Sequence, residues 1–186
     1  MQGQRMNAVQ RANKKIDQEL KRHIEMVYSA VAIIFWKEYG WRKLRITRLF
    51  EETQEVWQEC ADSGVAESML SMLENETGIE IKMPGMKSYH EYAYLDADAW
   101  DKKPPTEMQV LYIRQQQSKW LPAMMVANIC LALYRKEKWG AERIARFVSM
   151  FEELKAEYGA NTKIYKEELE KLTDFTKNEV CSFAKK

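Results

Sequence analysis

Residues 26–60 lie over residues 124–158 without a gap, Met26 falling on Met124 and Cys60 on Tyr158. Trp41, Arg45, Ile46 and Arg48 then meet Trp139, Arg143, Ile144 and Arg146, and Glu55 and Glu59 meet Glu153 and Glu157. Most other positions swap like for like: Val31 with Ile129, Ile33 with Leu131, Phe35 with Leu133, Trp36 with Tyr134, Lys37 with Arg135 and Val56 with Leu154. A self-match of this length constrains a fold strongly, because a unit that occurs twice must bury its apolar face twice. The unit reads as an apolar helix, a short turn at Trp41 or Trp139, and an amphipathic helix. The expectation is an all-α protein of about six helices, one domain over residues 1–186, with two quasi-equivalent helical hairpins around a shared core.

Composition agrees with a helical globular chain. Of 186 residues, 46% are hydrophobic and 11% aromatic, which excludes a disordered class, and there are only 7 Gly and 4 Pro. The net charge is +1. A dedicated duplex-DNA binder shows a basic excess, because phosphate neutralisation dominates its affinity, and a DNA mimic shows the reverse. The charge is locally uneven: Arg5, Arg11, Lys14, Lys15, Lys21 and Arg22 face only Asp17 and Glu19 before His23. That stretch is either a basic arm or a solvated helix start. Cys60, Cys130 and Cys181 form no paired framework, which suits reduced thiols in an intracellular protein. The polar start of the chain is not read as a signal peptide, and the apolar run 27–36 is too short to span a membrane.

Ile16, Leu20, Ile24, Val27, Val31, Ile34 and Phe35 recur at steps of three and four, predicting a first helix from within the first dozen residues to Tyr39. Gly40 offers a left-handed C-cap. A second helix is predicted over residues 42–61, with Leu44, Leu49, Val56, Trp57 and Cys60 inward, and a third over 65–76. Residues 79–105 are the least regular, with a possible extended piece at 79–83, a turn at Pro84-Gly85 and a linker at 102–105. Thr106 and Gln109 form a capping box for a long helix to about Lys138, kinked at Pro122. A fifth helix spans 141–158 and a sixth starts at Asn161 or Thr162, with Ile164, Leu169, Leu172, Phe175 and Val180 as its stripe.

The candidate binding residues are Trp41, Arg45, Arg48, Trp139, Arg143 and Arg146, with Tyr89 and Tyr92 in the irregular segment. The arginines of each Trp-x3-Arg-Ile-x-Arg unit are three apart and share a helix face, suiting phosphates or carboxylates. Each Trp can stack a base or anchor a partner, or it can plug its turn with an Arg packed over it. Tyr89, Tyr92, Tyr94 and Trp100 either form a contact surface or cover the core. Glu52 and Glu55 match the first half of the ExxE/ExxD carboxylate pattern of MazG-type pyrophosphatases, which bind Mg²⁺ through hard oxygen ligands. The second half is missing, since Asp98 and Asp101 fall in the irregular segment. His23 and His90 form no metal set, and no catalytic residue or cofactor is expected.

The stretch 131–152, an apolar ALA-L helix, an aromatic-Gly turn and Arg-Ile-x-Arg-Phe, resembles small helical proteins encoded by phages and prophages of clostridial-type bacteria. The resemblance covers about thirty residues of the second copy, with a looser echo at 35–50, where glycine precedes Trp41 rather than following it. It implies a non-enzymatic accessory protein, cytoplasmic in a bacterial host, that binds a host or phage protein or nucleoprotein complex; the stripe on the first helix leaves monomer and homodimer both open. By analogy of size, the specific expectation is an anti-CRISPR type of inhibitor of a host RNA-guided nuclease. The alternatives are a nucleic-acid-binding accessory protein for phage replication or recombination, acting through the basic patches, and a Mg-dependent nucleotide pyrophosphatase.

Overall fold

The structure is a computed structural model and describes residues 8–62, 66–82, 106–176 and 179. The described residues hold six helices and no strand: α1 (Ala8–Tyr39), α2 (Lys43–Asp62), α3 (Ala66–Thr77), α4 (Glu107–Arg135), α5 (Ala141–Tyr158) and α6 (Thr162–Leu172). None of these helices is long and apolar enough to cross a membrane. Tyr89 and Tyr92, with His90, Tyr94, Asp98, Trp100 and Asp101, lie outside the described residues, as do Val180 and Cys181.

The centre is the pair α1 and α4. Every residue from Glu25 to Phe35 and from Met124 to Leu133 is buried, so both helices are covered on all sides over these stretches. A helix apolar all round needs neighbours all round. α6 and α5 cover α1, while α2 and α3 cover α4. The backbone of α2 approaches α4 and α3 more closely than it approaches α1.

Three local devices set the helices. The Thr106 and Gln109 capping box opens α4, each side chain answering the other's backbone N–H. Pro122 has no N–H, which leaves the carbonyl of Ser118 four residues back without its helical donor. His23 Nδ1 from α1 lies 2.8 Å from that carbonyl and must donate to it, so the proline break becomes a tie between α1 and α4. Asn161 caps α6 through Lys163 N, after Gly159 at φ 61 has ended α5.

Several sequence expectations change. Leu44 is 84% exposed and Trp57 37% exposed, because α2 turns Ile46, Leu49, Phe50, Thr53, Val56 and Cys60 inward instead. On α6 the buried residues are Tyr165 and Leu169 rather than Ile164, and the helix stops at Leu172, with Phe175 buried beyond its end. Residues 79–82 are irregular. From Ala8 the basic N-terminal stretch is the first half of α1, held to α4 by Asp17 and Arg114 at 2.6 Å.

The two turns share one hand at one position. Trp41 N bonds Phe35 O and Trp139 N bonds Leu133 O, both at 3.0 Å. The residue before each Trp is left-handed: Gly40 at φ 63 and Lys138 at φ 57. Gly140, the glycine that follows Trp139, is not the left-handed residue but an extended N-cap. A left-handed lysine stores strain that glycine does not. Gly40→Ala should cost about 1 kcal/mol, whereas Lys138→Gly should gain about 0.5 kcal/mol after the added freedom of the unfolded chain is subtracted. Urea denaturation of both variants measures the contrast, and two losses of similar size would refute it.

Candidate functional site

The turns meet. Trp41 and Trp139 are each 3% exposed, and their rings touch edge to face at 5.8 Å between centroids. Phe35 lies between them, 4.4 Å from Trp41 and 5.5 Å from Trp139, with Phe147 at 5.4 Å and Tyr39 at 5.3 Å. Both indoles are thus turned into the core and have no open face on which a base could stack.

The arginines stand outside this knot. Arg45 lies 3.9 Å over the Trp41 ring and Arg143 3.8 Å over the Trp139 ring. Arg42 lies 4.5 Å over Trp36. Such stacking orients a guanidinium without consuming its N–H donors. The ionic partners divide unevenly. Arg45 pairs with Glu137 at 2.7 Å, and Arg48 pairs with Glu52 at 2.9 Å. Among the described residues Arg42, Lys138, Arg143 and Arg146 have no acidic partner, and all four are exposed.

Arg143 and Arg146 also flank Tyr39. Burial pushes the Tyr39 phenol above its ordinary range, and the nearby charges of Arg146 and Arg143 only partly offset this. Its hydroxyl is buried without a hydrogen-bond partner among the described residues. Leu44 stands exposed on the first turn of α2 between Arg42 and Arg45 in sequence, an apolar knob on a cationic rim. The rim therefore joins both Trp-x3-Arg-Ile-x-Arg segments where the turns meet. Sequence spacing pairs arginines within each segment, but only the meeting of the turns brings the two segments together.

The carboxylates of the pyrophosphatase reading each have a basic neighbour. Glu52 is buried and paired with Arg48, while Glu55 pairs with Lys136 at 3.1 Å across to the end of α4. Among the described residues no three His, Cys, Asp or Glu side chains gather where they could hold a metal ion.

No protein-family model matches the chain. No curated protein and no solved structure matches it at a significant level.

Proposed function

We propose that this chain is a non-enzymatic binding protein that docks through its arginine rim onto an anionic partner, and that the partner is a nucleoprotein. The observation that carries the reading is a set of exposed arginines unpaired with acids among the described residues: Arg143 stacked on buried Trp139 and lying with Arg146 beside Tyr39, and Arg42 stacked on Trp36. Oriented guanidinium groups suit carboxylates and phosphates, which they bind with two parallel hydrogen bonds. The exposed Leu44 beside them favours a partner with a protein component over bare nucleic acid, because a phosphate backbone offers it no apolar contact. The specific form of the proposal is an inhibitor of a host RNA-guided nuclease, as the likeness to phage proteins suggests. The internal register is read as duplication of one helix–turn–helix unit, supported by the shared geometry of the two turns.

The test is retention of partners on the tagged chain from cells carrying an active CRISPR system, before and after nuclease treatment. A stoichiometric nuclease is expected to survive treatment and to be lost from the Arg143→Glu/Arg146→Glu variant. Reversing two rim charges should weaken binding roughly a hundred-fold through like-charge repulsion. Lys163→Glu, at an exposed position of α6 and paired with Glu167, serves as the control and should leave binding unchanged. Retention of nucleic acid alone, lost on treatment, would replace this reading with the accessory nucleic-acid-binding role. A salt slope that shrinks by about one for each arginine removed would then be seen on free DNA.

A further inference from the structure

A second feature lies away from the rim. A cavity of about 280 Å³ opens between α1, α2 and α4, lined by Tyr28, Thr53, Trp57, Met125, Asn128 and Ile129, with Gln54 and Gln58 at its edge. Trp57 and Gln58 are exposed at the mouth, while Tyr28, Thr53, Met125 and Asn128 are buried at the floor. No lining residue carries a formal charge.

The floor has a defined hydrogen-bond polarity. Asn128 is 6% exposed, and its Nδ2 donates to Thr53 O at 2.8 Å. A carbonyl only accepts, so this bond settles which end of the carboxamide is oxygen. Asn128 Oδ1 is then a buried acceptor with no partner among the described residues. Thr53 Oγ1 gives its proton to Phe50 O at 2.7 Å, so it is left to accept from the Tyr28 phenol, with which it shares a hydrogen bond. An unmet acceptor at this depth is costly unless something supplies a donor.

The fold does not demand this polar lining. In the register that lays Met26 on Met124, Tyr28, Thr53, Gln54 and Trp57 correspond to Val126, Phe151, Glu152 and Lys155. Those four residues line a second cavity, of about 330 Å³, in the other half. There the buried positions are Val126 and Phe151, which need no partner. The same place in the architecture is thus built apolar at depth in one half and polar in the other.

We infer that the cavity beneath Trp57 binds a small, uncharged, planar ring carrying N–H donors, of the nucleobase type. The indole offers a stacking face, the glutamines offer amide edges, and Asn128 Oδ1 accepts an N–H at the floor. Its volume lies at the lower end for ligand pockets, which suits a single nucleoside rather than a dinucleotide. Nucleobases stack on aromatic side chains and are read by amides in this way in proteins that bind single strands. This inference is independent of the rim and of the partner proposed for it.

The experiment titrates adenosine, cytidine, guanosine and uridine separately into the full chain, up to roughly 10 mM. It follows the Trp57 indole and Asn128 carboxamide signals by nitrogen–proton NMR. At least one nucleoside is expected to saturate and to move both signals. Trp57→Leu should weaken that binding roughly ten-fold or more. Asn128→Leu should abolish it, but it also removes the bond to Thr53 O and can unfold the chain. Trp57→Leu at the solvent-exposed mouth therefore decides the question if that variant is lost. Failure of all four nucleosides to move either signal would overturn the inference, and so would an affinity unchanged in Trp57→Leu.

Discussion

Phe35→Ala is expected to destabilise the chain by about 4 kcal/mol, roughly a quarter or more of the stability of an ordinary domain. The ring is fully buried and is the common neighbour of Trp41, Trp139, Tyr39 and Phe147. Its removal leaves a void among large rigid rings, which collapse poorly into the space. The aromatic contacts are lost in addition to the buried area. Phe35→Leu provides the control, because leucine occupies the corresponding place as Leu133. It keeps most of the volume and should cost only about 1.5 kcal/mol. Urea unfolding with two spectroscopic probes measures both values. A loss under about 1 kcal/mol for the alanine variant would mean that the two turns are not joined through this ring.

The knot also explains what the sequence could and could not disclose. Helix limits were legible where a side chain announces them, as at Thr106 and Gln109, Gly159 and Asn161. Leu44 and Trp57 are apolar but stand out of phase with the buried face of α2. Ile46, Leu49, Phe50, Thr53, Val56 and Cys60 already trace a stripe at helical spacing that leaves both residues out. The inward turn of Trp41 and Trp139 was open in the sequence, because it depends on a contact between residues far apart in the chain. No periodicity within one segment reports on its meeting with another. Lys138 misled for a different reason: glycine is the usual sign of a left-handed residue, and here Gly140 stands two positions later in an extended conformation. At Asn128 the sequence does carry a usable signal, a carboxamide inside an otherwise apolar buried run and aligned with Ala30.

The chain is expected to lose stability steeply in alkali, and Tyr165 sets much of the slope. Its ring is fully buried, and its hydroxyl donates to Gly159 O at 3.1 Å. Burial pushes the phenol from 10.0 up to about 12, since the charged form would be desolvated, and the neighbouring Tyr158, Glu152 and Glu157 add to the rise. The folded chain therefore holds this proton to higher pH than the unfolded chain does. Above 10.0 the unfolded chain binds fewer protons, so the stability falls as pH rises, and it goes on falling until about 12. Across that window Tyr165 alone removes about 3 kcal/mol. Tyr28, Tyr39 and Tyr158 are shifted in the same direction, chiefly by burial, and the Cys60 and Cys130 thiols start the same loss from their ordinary 9.0. Tyr165→Phe separates the effects. Near pH 7 the variant should be less stable by about 1 kcal/mol, the worth of the lost hydrogen bond. Between 10.0 and about 12 the order should reverse, because phenylalanine has no proton to lose. Thermal melting followed from pH 7 upward tests this directly, and parallel curves for the two proteins would show that Tyr165 does not couple folding to pH.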